Sequence, residues 1–225
     1  MSEILPGIWQ FKDGDVYCFL VVGTEKALLI DTGFGNLDLA GAVKSVTSLP
    51  VTLVNTHADG DHLLGNAAFQ PALLHPADFA RAAGAKEVPF SYSPLWEGTM
   101  LDIGARTLEV ILLSGHTPGS IALLDADNKL LFIGDTVMRN APVFLFGEGR
   151  NLPSYIAGLE KLLAMSERFD LLLPSHGDCP LPRSAVADTL AAARLLMRGE
   201  LPDAPPPFEK MPCRLYKSGE TLFCY

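Results

Sequence analysis

Apolar residues in the first thirty positions fall in short β-prone runs, Ile4 to Phe11, Val16 to Val22 and Lys26 to Ile30, broken at Asp13-Gly14-Asp15 and Gly23-Thr24-Glu25. Turn signals at that spacing predict an antiparallel meander. After Asp31-Thr32-Gly33-Phe34-Gly35 the period changes. Leu37, Leu39, Ala42, Val43 and Val46 recur at helical spacing up to Pro50, and Val51 to Asn55 then makes a short apolar strand ending at Thr56. A similar order returns later. Thr107 to Leu113 predicts a strand, Ile121 to Leu124 and Leu130 to Ile133 a hairpin about Asp125-Ala126-Asp127-Asn128, and Pro153 to Glu167 a helix. Leu171 to Leu173 then predicts a buried strand and Arg183 to Met197 a helix rich in Ala and Leu. Strands this apolar must be covered, which predicts an α/β chain built as a four-layer αββα sandwich.

Two stretches resist regular assignment. Residues 84 to 100 include Tyr92 and Trp96, and residues 138 to 152 include Phe144 and Phe146. Long aromatic loops usually have a task, so these four side chains are candidate walls of a substrate pocket. The tail opens with Pro205-Pro206-Pro207. The expected organisation is therefore a domain over 1–200, with 201–225 as an extension docked on it.

Composition narrows the function. A chain of 225 residues, 48 % hydrophobic and 19 % charged, can bury a substantial core, which excludes a disordered or fibrous chain. Its 17 Lys and Arg against 26 Asp and Glu leave a net charge of −9 without any basic run, an unfavourable balance for nucleic acid. No apolar stretch approaches the ~20 residues of a membrane span, and Met-Ser-Glu-Ile-Leu-Pro does not resemble a signal peptide. A cytoplasmic protein with a small-molecule substrate, and with neither nucleic acid nor membrane as partner, is expected. Cys18, Cys179, Cys213 and Cys224 lack CxxC spacing and are expected as free thiols.

Four of the five histidines sit in turns at strand ends: His57 and His62 in Thr56-His57-Ala58-Asp59-Gly60-Asp61-His62, His116 in Gly115-His116-Thr117-Pro118-Gly119, and His176 in Pro174-Ser175-His176-Gly177. Asp135 in Gly134-Asp135-Thr136 is placed similarly. Imidazole and carboxylate donors together suit zinc, iron or manganese. The fifth, His75, stands where a strand meets a helix and reads as a helix-end or pocket-rim residue.

These segments, together with Leu29-Ile30-Asp31-Thr32-Gly33 and Leu173 to Gly177, occur in an order that resembles the metallo-β-lactamase fold superfamily of metal-dependent hydrolases. The resemblance implies two divalent metal ions, with zinc expected first and iron or manganese as the alternatives that Asp59 opens. His57, Asp59 and His116 would hold one, Asp61, His62 and His176 the other, and Asp135 would bridge both. Asp31 would orient the ligands from behind, and Asp61 would also carry a proton. It implies hydrolysis of an ester, thioester, lactone or related acyl bond by a bridging water, with glyoxalase II-like enzymes as the nearest analogy.

The departure is at position 59, where the family usually has histidine. Two divalent ions bring four positive charges, and two aspartates with a bridging hydroxide leave one; Asp59 takes the sum to zero. A third carboxylate moves preference from zinc towards iron or manganese, and replacing Asp59 by His should raise zinc affinity. Related proteins doing di-iron redox chemistry also carry a carboxylate there, so a flavodiiron-type oxygen reductase is the alternative activity. A non-catalytic metal-binding sensor is the third.

Overall fold

The computed structural model describes residues 1–84, 91–206 and 211–225. Residues 85–90 of the long aromatic segment, and Pro207 of the proline run, lie outside the described residues. The chain forms two compact units, Met1–Ile111 and Leu112–Tyr225.

In the first unit β1 (Ser2–Leu5), β2 (Ile8–Asp13), β3 (Val16–Val22) and β4 (Ala27–Ile30) form the expected antiparallel meander. The run Ile4 to Phe11 is two strands and not one. Pro6 has no N–H for a ladder, and Gly7 turns the chain at φ +73°, a conformation that glycine adopts without a Cβ penalty. Helix α1 (Leu39–Val46) begins where the Asp38 carboxylate accepts the Gly41 N–H at 2.9 Å. It buries Leu39 and Val43 in a cluster with Phe11, Leu20, Leu29 and Leu53. β5 (Val51–Val54) follows, then α2 (Gly60–Leu63), β6 (Ala72–Leu74), α3 (Phe79–Gly84) and β7 (Tyr92–Pro94). The sheet order is β1-β2-β3-β4-β5-β6-β7, with β4 to β7 parallel. The hairpin β8 (Met100–Asp102) and β9 (Thr107–Leu112) ends the unit.

The pairing of β4 with β5 matters most for the site. Parallel strands end at the same edge, and here Ile30 is level with Val54, so Asp31 and Thr56-His57 leave the sheet side by side. Asp31 N–H still donates to Val54 O at 2.9 Å, while its φ of +60° swings the chain away from the strand direction.

The second unit repeats the device. β10 (Ile121–Asp125) and β11 (Leu130–Gly134) form the expected hairpin, closed by Asp125 accepting from the Asn128 backbone and side chain. β12 (Pro142–Phe144) and α4 (Leu152–Ala164) follow, then β13 (Leu171–Pro174), β14 (Leu181–Pro182) and α5 (Ser184–Met197). β11 and β13 are parallel, with Gly134 level with Pro174, so Asp135 and Ser175-His176 emerge at one edge. Ser175 N–H donates to Gly134 O at 3.1 Å there. α4 starts at Asn151, whose side chain accepts the Ser154 N–H, and is tied to α5 by Arg194 on Glu160 at 2.8 Å.

The tail is more regular than its prolines suggest. β15 (Asp203–Ala204), β16 (Leu215–Ser218) and β17 (Thr221–Cys224) join β12 in a sheet ordered β12-β17-β16-β15. β17 runs parallel to β12 and buries Phe223 beside Tyr155 of α4. No helix among the described residues is long and apolar enough to cross a membrane.

One close approach fixes the His116 turn on α4. Gly115, at φ +145°, accepts the Asn151 N–H at 2.8 Å, and a Cβ at this position would run into the backbone of Tyr155. Gly115→Ala should therefore cost about 2–4 kcal/mol in denaturant unfolding through overpacking and backbone strain. Gly84→Ala, where a Cβ meets nothing within 4 Å, should shift stability by less than about 1 kcal/mol. Equal effects at the two positions would contradict this account.

Candidate metal centre

In the first unit the donors sit on the loop after β5 and on the short helix α2. His57 Nε2 lies 3.6 Å from Asp59 Oδ2, and His62 Nε2 lies 3.6 Å from Asp61 Oδ2. The two imidazole rings are 4.0 Å apart between centroids. Both histidines are buried, whereas Asp59 and Asp61 keep 15 % and 24 % of their side-chain surface. In the second unit Asp135 Oδ2 stands 3.7 Å from His116 Nε2 and 3.6 Å from His176 Nε2. One carboxylate oxygen thus serves two histidines.

These separations suit cation ligands. Donors bound about 2.0–2.2 Å from one tetrahedral ion stand roughly 3.3–3.6 Å apart, close to all four pairs. In each pair the histidine uses Nε2. The Nδ1 side is occupied elsewhere: His57 Nδ1 is 3.0 Å from Thr56 Oγ1, His62 Nδ1 is 2.8 Å from Asp31 Oδ2, and His116 Nδ1 is 2.9 Å from Phe144 O. A carbonyl or carboxylate on Nδ1 requires the proton there and leaves the Nε2 lone pair available, the arrangement that metal-bound imidazoles use.

Asp31 is the hub of the first unit's donors. Its carboxylate, with no exposed surface, accepts from Thr56 N–H at 2.8 Å, Thr56 O–H at 2.7 Å and His62 Nδ1–H at 2.8 Å. Because Thr56 gives its hydroxyl proton to Asp31, its oxygen is left to accept from His57 Nδ1–H. One carboxylate thereby aligns two imidazoles, one directly and one through a hydroxyl. The backbone is held as firmly. His62 O accepts from Thr32 N–H at 3.0 Å and Asn55 Nδ2 at 2.8 Å, and Asn55 and Asn66 pair at 2.7 Å. Ala58 N–H donates to the buried Asp78 Oδ2 at 2.9 Å.

In the second unit the Gly115–Ser120 turn is closed by Gly115 N–H on Thr117 O and Thr117 N–H on Ser120 Oγ. The buried Tyr155 hydroxyl donates to Thr136 O at 2.5 Å, next to Asp135. Burial, with Asp135 adding to it, pushes that phenol well above its ordinary range, so it remains a donor.

Residues 12–200 match the family model of the metallo-beta-lactamase superfamily. The chain belongs to that superfamily. Acyl-coenzyme A thioesterase MBLAC2 of Gallus gallus is 26 % identical over 197 residues, covering 70 % of this chain and 71 % of that protein. Hydroxyacylglutathione hydrolase of Cereibacter sphaeroides is 34 % identical over 130 residues, 55 % of this chain and 49 % of that one. Among solved structures, a metallo-beta-lactamase from Pontibacter korlensis superposes with a TM-score of 0.73 at 24 % identity, covering 86 % of this chain and 97 % of the other. The expected α/β chain with the metallo-β-lactamase fold is therefore what the protein has, and it is a hydrolase of this superfamily. Membership implies divalent metal ions, and the histidine and aspartate donors described above fit that chemistry.

Two residues that sequence reasoning missed act on the departure at position 59. Asp78 anchors the neighbouring Ala58, and Arg81 of α3 binds Asp59 itself, through Nε at 2.7 Å and Nη2 at 2.5 Å, both on Oδ1. No local pattern marks them, because the contacts join residues 20 and 22 positions apart in the chain.

The remaining candidates divide. Tyr92 is half-buried, stacks on Phe79 at 6.0 Å and packs against the edge of the cluster of Ala58, Leu63, Leu74 and Ala82. Trp96 is 57 % exposed and meets His75 edge-on at 5.6 Å. Phe144 lends its carbonyl to His116 and packs edge-on with Phe146. His75 caps the turn Pro76–Asp78 by accepting the Ala77 N–H at 3.3 Å, and burial lowers its pKa.

Asp31→Asn keeps the shape but places an amide N–H₂ opposite donors. It should lower zinc affinity about 10–100-fold in a competition assay with a chromophoric chelator and destabilise the metal-free protein by about 2–4 kcal/mol. Unchanged affinity would show that Asp31 does not orient the ligands.

Proposed function

We propose that the protein is a binuclear metallohydrolase that cleaves small-molecule thioesters, releasing an acid and a thiol. The reading is carried by the four pairs in which a histidine Nε2 stands 3.6–3.7 Å from a carboxylate oxygen, with Asp135 shared between two of them. The ligand sets are those the resemblance implies: His57, Asp59 and His116 for one ion, Asp61, His62 and His176 for the other, and Asp135 for both. Two relatives acting on thioesters by name, an acyl-coenzyme A thioesterase and a hydroxyacylglutathione hydrolase, support the bond type. We assign the 201–225 tail, whose β17 pairs with β12, to the same hydrolase domain.

Zinc ions bound to these donors supply the Lewis acidity that brings a water's pKa towards neutrality and polarises the acyl carbonyl. The chain's own residues do the rest. Asp31, Thr56 and the Phe144 carbonyl keep the imidazole protons on Nδ1, so the rings do not turn during the reaction. Asp61 is the most exposed carboxylate of the set. It accepts the proton of the attacking water as the water oxygen joins the acyl carbon, and returns it to the sulfur as the C–S bond breaks. A thiol with pKa about 8.5 leaves readily as thiolate, so this return need not precede bond breaking. Phe144, whose carbonyl meets His116, and Phe146, packed against Phe144, are proposed to line the acyl side of the pocket.

Elemental analysis and a thiol-release assay test this together. The zinc-loaded protein should carry two ions per chain and hydrolyse acyl-coenzyme A or hydroxyacylglutathione esters. Chelation should abolish turnover, and zinc should restore it. His116→Ala and Asp61→Ala should lose metal and at least about 100-fold in turnover together, whereas His75→Ala should keep its metal. Full occupancy without turnover of any thioester would overturn the assignment.

A further inference from the structure

Arg81 has no place in the ligand sets above, yet it holds one of their members. Its Nε and Nη2 both meet Asp59 Oδ1, while Asp59 Oδ2 stands 3.6 Å from His57 Nε2. The two oxygens of one carboxylate are thus divided, one to a guanidinium and one to the metal side. The segment carrying Arg81 is itself fastened to the ligand loop, because Asp78, one turn earlier, accepts the Ala58 N–H. Residues 58 and 59 are therefore gripped by 78 and 81 in a matching pair of contacts.

We propose that Arg81 is a positioning and charge-balancing residue, and that the Asp59–Arg81 pair stands in for the histidine usual at this position. This rests on the ligand assignment proposed above. A neutral imidazole contributes a donor and no charge. An aspartate alone contributes a donor and one negative charge, and an aspartate with a bound guanidinium contributes a donor and none. Counted with Arg81, the net charge of two divalent ions, the carboxylates Asp61, Asp135 and Asp59, and a bridging hydroxide returns to the value of the usual histidine site. The preference for iron or manganese drawn from Asp59 alone is thereby removed, and zinc is retained. Arginine suits the task because its Nε and Nη2 lie in one plane and close on a single oxygen, and it keeps its charge at any physiological pH. The pair is partly shielded, with Asp59 15 % and Arg81 31 % exposed, so the charge is felt at the site and not wholly screened.

The consequence runs against the simple expectation that Asp59→His improves zinc binding. That change removes the Asp59 carboxylate and keeps the positive charge of Arg81 at the same corner of the site. The test is a double-mutant cycle of Asp59→His and Arg81→Met, read as zinc affinity in chelator competition and not as activity. Asp59→His alone should weaken zinc at least tenfold, and adding Arg81→Met should restore it to within about threefold of wild type. Effects that combine additively within about twofold, or tighter zinc binding by Asp59→His alone, would overturn the proposal. Should Asp59→His not fold, Asp59→Asn takes its place in the cycle, with the same sign of coupling expected. Failure of wild type to bind zinc stoichiometrically would instead refute the ligand assignment, so the two failures are distinguishable.

Discussion

A carboxylate sealed from solvent carries much of the first unit's design. Burying Asp31 would cost several kcal/mol if its charge were left uncompensated. Three donors offset this, two of them from Thr56, the residue before His57, and one from His62. The compensation exists only if β4 and β5 are parallel and in the observed register. A slip of one residue would turn Thr56 to the other face and leave the charge without its partners. Fold and site are thus mutually dependent: the register presents the donors, and the donors make the register favourable.

The second unit reaches the same end by other means. There β11 and β13 set the edge, but the Nδ1 acceptor for His116 is a backbone carbonyl on β12, and Gly115 brings the turn against α4 where a side chain could not fit. Parallel pairing at the strand end is the shared constraint, and what fastens the imidazole is free to vary. β12 is in turn held by β17, so the C-terminal strands support a carbonyl that orients a histidine.

Much of this was legible in the chain. Val16–Val22 as a strand, the hairpin about Asp125, and α4 and α5 follow from periodicity, because their burial patterns are simple and their ends carry turn or cap residues. The candidate donors stood out for a different reason, since histidines crowded into turns between apolar strands have no packing role there, and the structure sets a histidine Nε2 3.6–3.7 Å from a carboxylate oxygen in four pairs. The less visible parts are those whose stability is borrowed. The three-residue strands β6, β7 and β12 lack enough positions to show a period and exist because a neighbour's edge completes them. β16 and β17 alternate well enough, but the prolines ahead of them argued for an extended connector. Tyr92, on the short strand β7 that pairs with β6, is half-buried and lays its ring on Phe79, a contact no local pattern marks.

Position 59 shows most clearly where reading residues singly stops. From sequence the aspartate alters the charge of the site, and any argument about metal preference follows from that charge. The structure places a guanidinium on the same carboxylate, contributed by a helix that begins twenty residues later. The electrostatic unit at this corner is therefore the pair. Its net charge, its planarity and its partial burial decide what the ions experience, and none of these belongs to either residue alone. A histidine introduced by itself is then an incomplete replacement, because the guanidinium that met the carboxylate remains on α3.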